Sequence, residues 1–299
     1  MMKLGISLPL VDIHGAPDTV REFAQTAEAM GYHHLAAPDH VLGVNVASRP
    51  DWGARNTSKD FFHDPFVLFG FLSACTQKIE FSTQVLILPQ RQTVLVAKQA
   101  ACLDVLSGGR FRFGIGVGWN PVEFVGLNEN FGNRGKRSEE QVQVMQALWA
   151  EPHVTFKGQW HTIEDAGINP LPTRRSIPIW FGGHADQTLR RIARWGDGWM
   201  MLSHAMGSEA ESAFATLRRY TEEAGRDPSR IGLEVWVSTG AGGPSDWRKE
   251  FQYWKSIGVT HVTVNSTFSR GPHQRIAGRT MADHLAAMKQ YHAAVADLL

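Results

Sequence analysis

The chain has 299 residues, 43% of them hydrophobic, and a formal net charge of +1. That length supports a large core and suits one α/β barrel of ~250 residues as well as two smaller domains. The near-neutral balance argues against nucleic acid, which asks for a basic stripe. Cys75 and Cys102 sit in apolar, helix-like surroundings and read as core fillers in a reducing compartment, not as a disulfide or a metal pair. The opening MMKLGISLPL turns polar within a dozen residues and lacks the pattern of a signal peptide, and no later stretch suffices to span a membrane. The expectation is a cytoplasmic protein with neither nucleic acid nor membrane as partner.

Strand-like and helix-like segments alternate along the chain. Leu4–Leu10 is the first strand, followed by a helix that Asp18 and Thr19 introduce and Gly31 ends. His34–Asp39 is the second strand, and a Gly/Asn/Arg/Trp-rich loop separates it from a helix beginning near Asp64 and Pro65. Glu80–Leu88 is the third strand, closed by Pro89, with a helix from Thr93 to Leu106. Arg110–Val117 is the fourth, with a helix near Ser138–Trp149. Ile177–Gly183, Gly198–Leu202, Leu233–Thr239 and His261–Thr267 complete the strands, each followed by a helix. Strands this apolar are buried on both faces, so the pattern predicts a single domain, a parallel (β/α)₈ TIM barrel. A doubly wound open sheet competes less well, because its glycine fingerprint follows the first strand. The stretch at about 150–176, with a small hairpin around Lys157 and Gly158 and then a Pro-rich linker, reads as an insertion between units four and five.

In such a barrel the C-terminal strand ends form the binding mouth. Those ends carry Asp12, His14, Asp39, His40, Pro89, Gln90, Arg91, Val117–Asn120, Gly182–His184, His204, Trp236 and Asn265. This set is aromatic and glycine-rich with few carboxylates, which suits a flat ring with a polar tail better than a divalent metal. His14, His40 and His204 approach one another across the mouth in this reading, but no short metal-binding spacing joins them, so no metal ligand is assigned. No nucleophile elbow and no Walker motif is present.

Three features carry chemistry. Gly114, Gly116 and Gly118 at the fourth strand end read either as a tight turn or as close backbone approach to a bulky ligand. PDH at Pro38–His40 gives either a satisfied structural histidine or an imidazole facing the ligand, able to donate to a ring or to move a proton, with Asp39 fixing its tautomer. FGGHADQTLRR, Phe181–Arg191, is a strand, a paired-glycine turn and a helix start, whose amides and dipole suit a phosphate; the plain alternative is an ordinary βα turn.

With those residues in view, the chain resembles the bacterial luciferase-like monooxygenase superfamily, in particular its branch of coenzyme F420-dependent oxidoreductases. The resemblance runs over nearly the whole chain. It rests on GYHHLAAPDH (Gly31–His40), VLILPQRQTVLVAKQAACLDVLSGGRFRFGIGVGW (Val85–Trp119), the NRGKRSEE segment (Asn133–Glu140) and IPIWFGGHADQTLRRIARWGDGWM (Ile177–Met200).

The resemblance implies a barrel whose mouth holds a deazaflavin or flavin ring. A bulge at the end of the third strand, often with a non-proline cis peptide, backs the ring in such proteins and would fall within Val85, Leu86, Ile87 and Leu88. Asp39 and His40 match positions that touch the cofactor, with His40 the implied catalytic proton carrier. Val117, Gly118 and Trp119 match the cofactor-lining end of the fourth strand, and Phe181, Gly182, Gly183 and His184 the phosphate turn. The implied reaction is hydride transfer between coenzyme F420 and a small organic substrate. The alternatives are an FMN-dependent monooxygenase that takes reduced flavin from a separate reductase and uses oxygen, and a non-catalytic flavin-binding barrel. Sugar-phosphate dehydrogenases of this superfamily carry a catalytic glutamate where this sequence has Trp119, with Glu123 the nearest carboxylate, so an apolar or planar substrate is expected. Members are often dimers, and Phe66–Leu72 is a candidate face.

Overall fold

The first strand, β1 (Lys3–Ser7), already shows how the chain builds a closed cylinder. It pairs in parallel with β2 (His34–Ala37) on one side and with the last strand, β11 (His261–Asn265), on the other. A computed structural model describes residues 2–202 and 204–299 of the chain. Its barrel continues through β3 (Glu80–Thr83) and β4 (Leu86–Ile87), β5 (Phe111–Gly116), β8 (Ile179–Gly182), β9 (Gly198–Met201) and β10 (Gly232–Ser238). β3 and β4 share one barrel position, so the sheet closes with eight parallel positions through the β3–β5 and β4–β5 pairings. The expected TIM barrel is the observed fold.

The helices are α1 (Leu10–Ile13), α2 (Pro17–Ala29), α3 (Pro65–Cys75), α4 (Thr93–Ser107), α5 (Pro121–Gly126), α6 (Arg134–Ala150), α7 (Asp186–Trp195), α8 (Ser208–Glu223), α9 (Pro244–Ser256) and α10 (Met281–Val295). Local chemistry explains several boundaries. Asp64 caps α3 by accepting from the amides of Phe66 and Val67, and Pro65 occupies the first helical position, where its missing donor costs nothing. Gly108 ends α4 in the left-handed region that the last turn requires. The first strand stops earlier than its apolar run suggests, because Pro9 turns Leu10–Ile13 into a helical turn. α5 is an element the sequence reading did not separate from its loop; Asn120 caps it through the amide of Val122.

The insertion is a two-stranded antiparallel hairpin, β6 (Val154–Lys157) and β7 (Thr162–Ala166). Glu140 on α6 ties it down, accepting from the amides of Gln159, Trp160 and His161 and from His161 Nδ1, each at 2.8 Å. The other nitrogen of His161 bonds Thr93 Oγ1 at the head of α4.

The barrel interior holds a buried polar cluster. Arg112 pairs with Glu80 at 2.9 Å and with Glu234, and its guanidinium lies 4.4 Å from the Trp180 ring centre. His34 Nε2 bonds Thr263 Oγ1 at 2.7 Å. Burial lowers the His34 and His261 imidazoles, keeping them neutral, while Arg112 holds Glu234 well below the usual carboxylate range against the opposing push of burial. Gln84 Nε2 donates to Glu234, so the cluster reaches up to the mouth.

Of the Phe66–Leu72 stripe, Phe66, Leu68, Phe69 and Leu72 are core, which leaves only Val67 and Phe71 outward. Both cysteines are free. Among the described residues no helix is long and apolar enough to cross a membrane, and no cluster of His, Cys, Asp and Glu side chains could hold a metal ion.

Candidate active site

The third barrel position organises the mouth. Register along β5 shows why it is split: Ser82 faces Arg112 and Leu86 faces Ile115. Thr83, Gln84 and Val85 therefore oppose only Phe113 and Gly114, one residue more than the partner strand supplies, which is a β-bulge. The Gln84–Val85 peptide is cis, at the leading edge of the stretch expected to hold it.

The glycines of the fourth strand serve this bulge. A Cβ on Gly114 would lie 1.9 Å from the Thr83 carbonyl oxygen, and one on Gly116 2.6 Å from Val85 Cγ2. On the other side, a Cβ on Gly182 would lie 2.8 Å from Val85 Cγ1. Val85 is thus seated between two strands that have no side chains there. The sequence reading gave these glycines to a ligand or a turn; the structure gives Gly114, Gly116 and Gly182 to the bulge that forms the floor of the mouth.

Above that floor lies a cavity of about 360 Å³. Val85, Ile87 and Gln84 line its base, Trp119 and Trp236 its aromatic walls, and His40 with Phe62 one flank. Trp236 Nε1 donates to Gln84 Oε1 at 2.7 Å, which fixes both side chains and connects the wall to the buried cluster below. Trp119 is 41% exposed, and its ring centre lies 5.7 Å from that of Trp52 and 6.2 Å from that of His40.

His40 is oriented by a residue that sequence reasoning had set aside. Its Nδ1 lies 3.3 Å from Glu123 Oε1, which also accepts from the amides of Val41 at 2.9 Å and Leu42 at 3.4 Å. Burial pushes the Glu123 carboxyl up, but the bonds from His40, Val41 and Leu42 outweigh it, and its pKa falls below the ordinary value. A carboxylate at Nδ1 makes that nitrogen the donor and leaves Nε2 as the acceptor. The signal for Glu123 was its place in the first turn of α5, one turn beyond Trp119, a helix the sequence reading had not resolved.

Asp39 takes a different part. It is 2% exposed and accepts from the Ile87 amide at 2.9 Å and from Arg91 Nη2 at 2.7 Å, while Arg91 also reaches Asp64 at 2.9 Å. Asp39 therefore holds the backbone after the bulge; it does not set the His40 tautomer.

The cavity brings together Asp39, His40, Val85, Ile87 and Trp119 from the expected set. Leu86, Val117 and Gly118 are outside its lining, as are Phe181 and Gly182, which end β8, and Gly183 and His184, which follow it; Phe181, expected at the cofactor, is buried in the core. In the paired-glycine turn Trp199 Nε1 donates to the Gly183 carbonyl at 2.8 Å, and His184 packs 4.9 Å from His204, ring centre to ring centre. Burial, with His204 and Arg270 nearby, pushes the His184 imidazole down to about 4, so at neutral pH it is uncharged. The turn leads into α7, whose first turn carries Asp186, and its histidine is not a cation. His14 is exposed and stands outside the cavity. Val85 and Ile87, two indoles and an imidazole in one lining make a cavity suited to a planar ring system such as a flavin or deazaflavin.

An uncharacterized protein of Mycobacterium tuberculosis is 36% identical over 248 residues, covering 81% of this chain and 82% of its own. The fold matches a monooxygenase of Streptomyces bottropensis, RslO1, with a TM-score of 0.79 at 17% identity over 99% of both chains. It also matches an F420-dependent secondary alcohol dehydrogenase with a TM-score of 0.77 at 19% identity, over 98% of this chain and 99% of that one. Since the profile described as luciferase-like monooxygenase matches residues 2–290, nearly the full length, the chain belongs to the luciferase-like monooxygenase family.

Proposed function

We propose that this chain is an oxidoreductase that moves a hydride between coenzyme F420 and a small organic substrate, with His40 as the proton carrier. The observation that carries this reading is the Glu123–His40 pair: a carboxylate bonded to Nδ1 leaves Nε2 as the acceptor on a residue that lines the cavity. The similarity of fold to an F420-dependent alcohol dehydrogenase supports the choice of ring.

When bound, the deazaflavin supplies a two-electron hydride centre that does not readily form an oxygen adduct. Val85 and Ile87 would back the ring, and Trp119 and Trp236 would confine the substrate above it. A proton must travel with the hydride, and His40 Nε2 is the group placed to take it from a substrate oxygen or nitrogen, or to return it in the reverse direction. Glu123 stabilises the imidazolium that forms. The Gly182–His184 turn would receive a phosphate on the cofactor tail through backbone amides.

FMN is the alternative guest, because the floor and walls suit either ring and the fold is also that of a monooxygenase. In that case a flavin reductase would be a partner and oxygen a substrate. A non-catalytic flavin-binding barrel is the weaker reading, since such a protein has no use for an oriented imidazole. The test is His40→Ala. Turnover should fall by about 10²–10⁴ while cofactor affinity stays within about threefold; equal losses in both, or no loss, would remove the proton-carrier role.

A further inference from the structure

Charge around the cavity is unbalanced. Its lining includes Asp12, Asp39 and Asp60 against Arg55, Arg270, Arg275 and Arg279. Two of the three acids are paired with cations. Arg275 Nη2 reaches both oxygens of Asp12, at 3.0 and 2.7 Å, and His284 Nε2 lies 3.2 Å from the same carboxylate. Asp39 is held by Arg91, and Asp60 accepts from the Thr57 amide at 2.6 Å. Among the described residues Arg55, Arg270 and Arg279 form no ion pair. Arg270 is tied by its backbone to His273, whose Nε2 bonds the Leu202 carbonyl just after β9. Arg55 and Arg279 remain.

These two come from the loops after β2 and β11. Arg55 is not loosely solvated: its guanidinium carbon lies 4.6 Å from the Trp119 ring centre, so the aromatic wall itself holds a cation at the cavity edge. A guanidinium presents a planar fork of donors that matches a carboxylate, and a cation beside an apolar wall is less hydrated than one in open solvent.

Resting on the oxidoreductase reading above, we infer that the substrate is a planar organic carboxylate, its ring against Trp119 and Trp236 and its charge received by Arg55 and Arg279. The flat body suits the indole walls above the cofactor ring. The anion answers the positive excess that the cavity acids leave.

The experiment uses equilibrium dialysis of the full chain with 4-nitrobenzoate, 4-nitrobenzamide and 4-nitrophenyl phosphate at fixed ionic strength, in wild type and in an Arg55→Gln/Arg279→Gln variant. Both arginines are exposed, so the variant should fold, and circular dichroism checks this. The carboxylate should bind at least about tenfold more tightly than the amide, and the variant should bring the two within about twofold. Equal binding of acid and amide, no binding of the acid, or a preference that survives in the variant would overturn the inference. Tighter binding of the phosphate than of the carboxylate would overturn the carboxylate assignment. Titrating coenzyme F420 and FMN into the same preparations keeps the two claims apart. If neither ring binds, the oxidoreductase reading fails whatever the acid does. If a ring binds and the acid preference is absent, only the substrate inference fails. Loss of cofactor affinity in the variant with the acid preference intact would give the arginines to the cofactor tail.

Discussion

Glu123 Oε1 lies 3.3 Å from His40 Nδ1 and at the same time accepts the backbone amides of Val41 and Leu42. One carboxylate thus fixes both the imidazole and the start of the loop that follows it. The pair joins the ends of two strands far apart in sequence, β2 and β5.

Glu123→Gln keeps the shape and an oxygen for the two amides but removes the charge that stabilises imidazolium. The expected outcome is a fall in kcat of about ten- to a hundredfold with cofactor affinity unchanged. Steady-state kinetics with parallel cofactor titration checks it. A change in cofactor affinity of the same size as that in kcat would mean that Glu123 serves only the loop.

Gly116→Ala places a methyl 2.6 Å from Val85 Cγ2, which the packed strands cannot absorb. Overpacking of this kind costs about 1–3 kcal/mol and should shift the bulge floor, weakening cofactor binding. The double variant Gly116→Ala/Val85→Ala removes the clash. Thermal denaturation should show recovery of part of the lost stability, and no recovery would mean that Val85 is not what the glycine accommodates.

Burial raises the Glu250 carboxyl to about 7, with a bond from Trp254 Nε1 at 3.4 Å only partly opposing it. A folded-state pKa above the unfolded value means the native state holds the proton more tightly. The stability contributed is therefore full below about pH 4.5 and is lost as pH rises towards 7. Glu250→Gln should be more stable than wild type at pH 8, by up to about 3 kcal/mol, and the advantage should vanish near pH 4. Denaturant melts of both proteins across that range read the difference directly. A constant offset would exclude the titration as its cause.

A homodimer face on Phe66–Leu72 would rest on Val67 and Phe71, with the outward apolar residues of the adjoining α4 beside them. Val67 is 70% exposed and Leu106 72%, with Phe71, Val94, Leu95 and Val105 also outward. A patch of this kind is what a second copy covers. Light scattering should report a dimer for wild type and a monomer for Val67→Glu/Leu106→Glu; a monomeric wild type would remove the face from consideration.

Much of the fold was legible because strand and helix periodicities differ and proline and glycine punctuate them. All eight barrel positions and the hairpin insertion lie where the pattern predicted. The site was legible less evenly. His40 and Trp119 follow directly from their positions at strand ends. Asp39 shares that position, yet it turns to Ile87 and Arg91, because a buried carboxylate goes where donors satisfy it, and periodicity does not encode donors. Glu123 was hidden for a related reason: its importance depends on α5 bringing it back to β2, a long-range contact. The glycines were noticed, but whether a glycine makes room for a ligand or for a valine from the next strand depends on register across the barrel.

The most direct test of the central claim is a parallel titration of the purified protein with coenzyme F420 and FMN, both at low micromolar concentration, followed by fluorescence. The account predicts tight, saturable quenching of the deazaflavin with FMN bound more weakly. Selective binding of FMN would contradict it and indicate an oxygen-using monooxygenase supplied by a reductase. Binding of neither would contradict the assignment of the mouth itself.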